Sequence, residues 1–244
     1  MSKIAIIIPS RLDAVRLPNK PLELINNKEM ILHVYEAAEK TDSEVYVATP
    51  DQKIIDVVNQ NKGKAVFTSI DHQTGTDRVY EVFKDHLKSE PNLIINLQGD
   101  MPNIEPQAIS NLINYMKEGN CDIGTLASSF SSDDELADEN NVKVAAKEKL
   151  TNGKFSEALD FFRKDSNKYE NYYHHVGIYA FTNKALVRYV SLKRSKLELE
   201  RKLEQLRALE NSMSIHVGYI NSSPLSVDTK NDLMEVRKIM EKSS

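Results

Sequence analysis

Ile4-Ala5-Ile6-Ile7-Ile8-Pro9-Ser10-Arg11-Leu12-Asp13-Ala14-Val15-Arg16-Leu17-Pro18-Asn19-Lys20-Pro21-Leu22 decides how this chain is read. The five apolar residues at its start, most of them β-branched, mark a strand buried on both faces, as in the middle of a parallel sheet. The loop that follows carries Arg11, Arg16 and Lys20 away from the strand's C-terminal end, where open α/β sheets bind their ligands. Pro9, Pro18 and Pro21 restrict the backbone, so a stiff segment presents these cations. A rigid basic loop at that edge suits a polyphosphate, although the same residues would also make an ordinary solvated loop.

Working outward, the pattern alternates. Glu29 to Lys40 has Ile31, Val34, Tyr35 and Ala38 at helical spacing, and Glu44 to Thr49 alternates as a strand. Asp51 is placed to cap a helix through Gln60, and Lys64 to Phe67 reads as a strand. Thr76 to Leu87 reads as helix, Asn92 to Leu97 as strand and Glu105 to Lys117 as helix. The expectation for residues 1–120 is an α/β, doubly wound, mostly parallel nucleotide-binding sheet with right-handed crossovers.

Beyond Cys121 the rhythm breaks. Ile123 to Phe130 and Val142 to Ala146 read as strands separated by an acidic loop, Ser131 to Asn141, so residues 121–213 are expected to form a smaller mixed-sheet insertion. Residues 147–173 have no clean period and are expected to be mobile or to contact a partner. His174 to Phe181 reads as a strand and Leu197 to Glu210 as one helix with Leu199, Leu203 and Leu206 on one side. Ser214 to Ile220 and Lys230 to Lys242 are expected to return to the core as strand and helix, making residues 1–244 a single domain.

With 244 residues the chain can bury a full core, and its net charge of −4 provides no electrostatic footprint for nucleic acid. One cysteine, Cys121, excludes an internal disulfide and any cysteine-cluster metal site. The start Met1-Ser2-Lys3-Ile4 lacks a secretory layout, and no apolar run approaches the roughly 18 residues of a membrane helix, so a cytoplasmic location is expected. Neither a G-x-G-x-x-G nor a G-x-x-x-x-G-K-[ST] string occurs, so phosphates must be held in another way. Gly75 and Gly99 lie in polar strings that read as site loops.

Leu97-Gln98-Gly99-Asp100-Met101-Pro102 follows a buried strand and places the Asp100 carboxylate at the same sheet edge as the basic loop. A hard carboxylate beside phosphate-binding cations is how Mg²⁺ sites are commonly built; Asp100 would equally serve as a turn residue ahead of the next helix.

Ile-Pro-Ser-Arg followed by Arg-Leu-Pro-Asn-Lys-Pro-Leu resembles the opening of the sugar-activating nucleotidyltransferases, and most closely the 3-deoxy-manno-octulosonate (Kdo) cytidylyltransferase family. That family commonly has Gly where Asn19 stands, and Asn tolerates the left-handed backbone better than other non-glycine residues. Gln98-Gly99-Asp100 matches the family's Gln-Gly-Asp, with Met101 where Glu is typical. Val227-Asp228-Thr229 resembles its Val-Asp-Thr, which implies Asp228 as a second Mg²⁺ ligand; by spacing alone Asp228 would also cap the last helix.

His72-Gln73-Thr74-Gly75-Thr76-Asp77-Arg78 resembles a third family string. The resemblance implies nucleotide contacts from Ser10, Arg11, Arg16, Lys20, Gln73, Thr74 and Gly75, with Arg11, Lys20 and Asp100 catalytic. It implies sugar contacts from Arg78, Gln98, His175 and Tyr179 of His175-Val176-Gly177-Ile178-Tyr179, and Glu204 and Gln205 of Leu203-Glu204-Gln205-Leu206-Arg207. The family's Phe-Ser-Arg is altered: either Phe155-Ser156-Glu157 or Phe161-Phe162-Arg163 corresponds, and Arg163 is preferred because a sugar carboxylate needs a cation.

Taken together, the resemblance implies a nucleotide-diphospho-sugar transferase-like fold with a sugar-binding and dimerisation part. The implied partners are CTP and a 3-deoxy-2-ulosonic sugar acid, with Mg²⁺ as cofactor, homodimeric assembly and a role in lipopolysaccharide biosynthesis. A related acceptor such as 8-amino-Kdo or a sialic acid stays open, as does a non-catalytic nucleotide-sugar binder.

Overall fold

The isoleucine run forms β1 (Ile4–Pro9), in which residues 5–8 are wholly excluded from solvent. The computed structural model describes residues 3–13, 16–87, 90–164 and 168–242. It divides into two units, residues 1–110 with 224–244, and residues 111–223.

In the first unit β1 is followed by a turn of 3-10 helix (Lys20–Leu22), the hairpin β2 (Leu24–Ile25) and β3 (Lys28–Glu29), α1 (Met30–Glu39), β4 (Glu44–Thr49), α2 (Gln52–Gln60), β5 (Ala65–Phe67), α3 (Gly75–Glu81) and β6 (Leu93–Leu97). β1 pairs in parallel with β4 and with β6, and β4 with β5. The C-terminal ends of β1 and β6 therefore lie at one edge, which sets the basic loop beside the Gln98-Gly99-Asp100 string. Gly99 permits this: a Cβ there would meet Ile31 Cδ1 at 3.2 Å and Ile8 Cγ2 at 3.4 Å.

The division between units falls within α4 (Pro106–Lys117). The second unit then holds β7 (Ile123–Ser128), α5 (Asp133–Ala137), β8 (Lys143–Ala146), β9 (Phe155–Phe162), β10 (Tyr172–Thr182), α6 (Asn183–Ser191), α7 (Lys196–Arg201), α8 (Leu206–Glu210) and β11 (Ile215–Tyr219). β10 is antiparallel to β7 and β8, β11 is parallel to β7 and antiparallel to β9, and β8 is antiparallel to β9. The last helix, α9 (Lys230–Lys242), belongs to the first unit. The fold is α/β with a mixed sheet, and among the described residues no helix is long and apolar enough to cross a membrane.

Several sequence expectations are corrected. The strand at 215–219 pairs with β7 and β9, and residues 224–244 belong to the first unit. The helix expected over 76–87 is present as α3, continued by a π-helical turn over Val82–His86. The strand from Ile123 ends at Ser128, and the acidic loop contains α5, whose N-cap Ser132 accepts from Glu135 N. Within 147–173, expected to be mobile or to contact a partner, β9 is an eight-residue strand; residues 165–167 lie outside the described residues. The single helix over 197–210 is two, because Lys202 adopts a left-handed backbone (φ 56°) that ends α7.

Candidate active site

The basic loop is fastened at both ends and in the middle. Ser10 N donates to Ala48 O at 2.9 Å and Asn19 N to Leu12 O at 3.1 Å. Leu12 N donates to Asp51 Oδ2 at 2.9 Å. Asp51 precedes α2 as expected, but its carboxylate serves the loop and makes no side-chain cap. Leu17 is 2 % exposed and packs with Ile25, Met30, Val227, Leu233 and Val236. Burying a leucine contributes about 1.5–3 kcal/mol, enough to hold the chain between the two cationic arms. Asn19 takes the left-handed conformation (φ 59°, ψ 19°), which Asn tolerates better than other non-glycine residues.

Lys20 is the meeting point. Its Nζ lies 3.1 Å from Asp100 Oδ2 and 3.1 Å from Asp228 Oδ1, and Arg16 Nη2 lies 2.9 Å from Asp228 Oδ2. Burial works against the Lys20 ammonium, but Asp100 and Asp228 outweigh it and hold its pKa above the ordinary value. Backbone contacts bring the two aspartates together: Val227 N donates to Asp100 O at 2.9 Å, and Leu225 N to Asn103 Oδ1 at 2.9 Å.

Asp228 does not cap α9. Thr229 Oγ1 accepts from Asp232 N at 3.3 Å, while Asp232 Oδ2 accepts from Asp228 N at 2.9 Å and Thr229 N at 2.7 Å, a reciprocal cap that leaves the Asp228 carboxylate to the cations. Met101, in place of the expected acid, is 3 % exposed and belongs to the core. Arg11 is exposed and pairs with Asp13 at 3.0 Å.

The third string forms the start of α3. Thr74 Oγ1 accepts from Asp77 N at 3.2 Å, and a Cβ on Gly75 would lie 3.4 Å from Pro9 Cγ and 3.8 Å from Gln98 Nε2, so this helix start abuts the end of β1. Gln98 Nε2 donates to Asn96 Oδ1 at 3.0 Å, and Asn96 Nδ2 to Thr76 Oγ1 at 3.2 Å. Gln73 is exposed. The Ser10 hydroxyl is buried without a partner among the described residues, at the same strand end. Arg78, expected to face a sugar carboxylate, is 4 % exposed and donates to Thr68 Oγ1 at 2.5 Å and Ser69 O at 2.9 Å, so it braces the loop. Sequence reasoning passed over Glu81, which accepts from Ser69 N at 3.0 Å and contacts His72 Nε2; its position one helical turn beyond Asp77 was the available signal.

The expected sugar residues lie in the second unit. His175 is 8 % exposed; Thr125 Oγ1, 2.9 Å from His175 Nε2, donates to Ile178 O at 2.7 Å, so the imidazole donates to that hydroxyl. Burial, with a smaller contribution from His174, pushes the His175 pKa down to about 3, which keeps the ring neutral. The Tyr179 ring lies 5.4 Å from that of His175. Burial and then the nearby Glu204 raise the Tyr179 phenol well above its ordinary range, placing Tyr179 and Glu204 in one neighbourhood. Gln205 is 8 % exposed.

Arg163 Nη1 donates to Glu139 O at 3.1 Å and Asn140 O at 2.9 Å. It lines a cavity of about 450 Å³ with Asp160, Phe162 and Arg201, whose walls include none of His175, Tyr179, Glu204 or Gln205.

Among the described residues no three His, Cys, Asp or Glu side chains cluster as metal ligands. Asp100 and Asp228 are hard oxygen donors sharing one cationic neighbour. Two carboxylates fit Mg²⁺, which takes one or two protein oxygens and completes its shell with water and phosphate.

The family model for cytidylyltransferases matches residues 5–215. The chain is 42 % identical to the 3-deoxy-manno-octulosonate cytidylyltransferase of Rickettsia bellii (strain OSU 85-389) over 98 % of this chain and 97 % of that one. It is 41 % identical to the enzyme of the same name from Bartonella henselae, over 96 % and 97 %. A solved structure of CMP:2-keto-3-deoxy-manno-octonic acid synthetase complexed with CTP superposes with a TM-score of 0.89 at 36 % identity, covering 100 % of both chains. With a family model that matches most of its length and relatives of this identity along nearly the whole of it, the chain belongs to the 3-deoxy-manno-octulosonate cytidylyltransferase family.

Proposed function

We propose that the chain transfers CMP from CTP to the anomeric hydroxyl of 3-deoxy-D-manno-octulosonate, giving CMP-Kdo and pyrophosphate. The observation that carries this reading is the convergence of Lys20, Arg16, Asp100 and Asp228 at the end of β1 in a chain of that family. The parallel order β5-β4-β1-β6 supports a doubly wound nucleotide-binding core.

The hydroxyl attacks the α-phosphorus in line and pyrophosphate leaves, with no covalent enzyme intermediate. Arg11, Arg16 and Lys20 neutralise the triphosphate, and the Ser10 hydroxyl and the backbone N–H groups of Thr74 and Gly75 add donors. Gln73 offers its amide to the cytosine edge. Asp100 and Asp228 would hold Mg²⁺, which when bound lowers the pKa of the attacking hydroxyl and screens phosphate charge. Gln98, His175, Tyr179, Glu204 and Gln205 serve the sugar acid, with His175 acting as a neutral hydrogen-bonding group and Arg78 acting through the loop that it braces. Family membership supports a cytoplasmic homodimer that supplies Kdo for lipopolysaccharide.

The test is pyrophosphate release with CTP, Mg²⁺ and a panel of Kdo, 8-amino-Kdo and a sialic acid. Release with Kdo is expected. Release with another acid alone moves the acceptor, and CTP binding without release from any acid overturns the catalytic reading.

A further inference from the structure

The short connection between α7 and α8 carries Glu204 and Gln205, and it is clamped by groups that no catalytic argument uses. Glu198 is wholly buried; its carboxylate closes the capping box with Ser195 and accepts from Arg207 Nε at 2.8 Å and Arg207 Nη2 at 2.6 Å. Arg194 Nε adds a bond of 3.0 Å to the same group. The Arg207 guanidinium, itself 3 % exposed, lies over the Tyr189 ring at 4.6 Å from its centroid. Tyr189 is 1 % exposed and its hydroxyl donates to Glu204 O at 3.0 Å. From the other side Leu203 N donates to Glu198 O at 3.3 Å and Arg207 N to Glu204 O at 3.1 Å.

A buried ion pair is a weak source of stability, because desolvating two charges offsets most of their attraction. It is a strong source of fixed geometry, since the planar guanidinium donates two near-parallel N–H bonds to the carboxylate through one edge, here Nε and Nη2. Here the chain of contacts ends on the main chain of Glu204.

We propose that Glu198, Arg207 and Tyr189 are positioning residues that hold the Glu204-Gln205 turn in the arrangement that binds the acceptor sugar acid, leaving nucleotide binding untouched. The proposal rests on the reading of Glu204 and Gln205 as sugar contacts.

The test separates the two. Tyr189→Phe removes the hydroxyl bond to Glu204 O and keeps the ring beneath Arg207, so the fold is retained. The expected result is a KM for Kdo raised about threefold to tenfold, as for one lost hydrogen bond, with KM for CTP unchanged and the melting temperature lowered by no more than about 2–4 °C. Arg207→Lys moves the same parameter further. In a Glu204→Gln background the effect of Tyr189→Phe shrinks, because both act on one contact. If Glu204→Gln raises KM for Kdo while Tyr189→Phe leaves it alone, or if Tyr189→Phe raises both KM values together, positioning is overturned and the site reading stands. If neither Glu204→Gln nor Gln205→Ala changes KM for Kdo, the sugar reading of the turn falls and the proposal with it.

Discussion

Lys20 Nζ stands 3.1 Å from the carboxylate of Asp100, and the same nitrogen is 3.1 Å from Asp228. With Arg16 on the far oxygen of Asp228, two cations balance two carboxylates contributed by three separate segments of chain. Each segment is held by other means: Asn19 and Leu17 set the loop, the Val227 amide on Asp100 O sets the two aspartates, and the Thr229–Asp232 cap sets the start of α9. Local groups thus carry the folding, which leaves the four charged side chains available for chemistry.

Asp100→Asn should separate these roles. Its carboxylate is 24 % exposed and its pairing with Lys20 is partly screened, so the fold should lose no more than about 1 kcal/mol. Pyrophosphate release should fall about 10²-fold or more, as for other losses of transition-state charge stabilisation. Near wild-type turnover at saturating Mg²⁺ would show that Asp100 is not a metal ligand.

Asn19 sits at φ 59° and ψ 19°, one residue before Lys20. Asn19→Gly should preserve stability and turnover, because glycine enters that region freely. Asn19→Val should cost about 1–2 kcal/mol in urea unfolding and should slow turnover by displacing Lys20. Equal stability of the two variants would mean that the left-handed backbone carries no strain for the larger side chain.

Asp232 receives the Asp228 and Thr229 amides at 2.9 and 2.7 Å. Asp232→Ala should therefore destabilise by about 1 kcal/mol, lowering the melting temperature by about 2–4 °C, and should reduce turnover because the backbone at Asp228 is released. Asp232→Asn keeps an acceptor oxygen and should retain most of both. A full loss with Asn would point to the charge and not to the cap.

These residues also mark how far the sequence could be read. The β1 run was legible because its burial shows in the sequence itself, and Asp100 was singled out by the buried strand before it; Asp228 was singled out through the family resemblance, since spacing alone also reads it as a cap for the last helix. The hairpin turn at Asn26-Asn27, with φ of 48° and 60°, was not recognised, although paired left-handed Asn residues suit a tight hairpin. β9 was hidden because its inward positions include the small Ser156 and Ala158, while Leu159 points outward at 46 % exposure, which blurs the alternation. Small residues answer to partners across the sheet: Gly218, opposite Phe155, has no room for a Cβ, which would lie 2.4 Å from that ring. The break at Lys202 was illegible for the same kind of reason, since the Glu198–Arg207 pair that encloses it is a tertiary contact.

His175 makes acid stability a measure of how firmly the second unit is closed. The folded protein holds this imidazole neutral down to about pH 3, whereas the unfolded chain protonates it near the ordinary 6.5. A folded pKa below the unfolded one means that the unfolded state binds the extra proton, so this contribution is fully present above pH 6.5 and declines as pH falls toward 3. At pH 5 the loss is about 2 kcal/mol relative to pH 7.5. Urea unfolding at the two pH values should therefore show a steeper acid destabilisation for the wild type than for His175→Asn, which cannot take up the proton. Equal pH dependence in the two proteins would mean that His175 reaches solvent and titrates normally in the folded state, and the burial argument would fail.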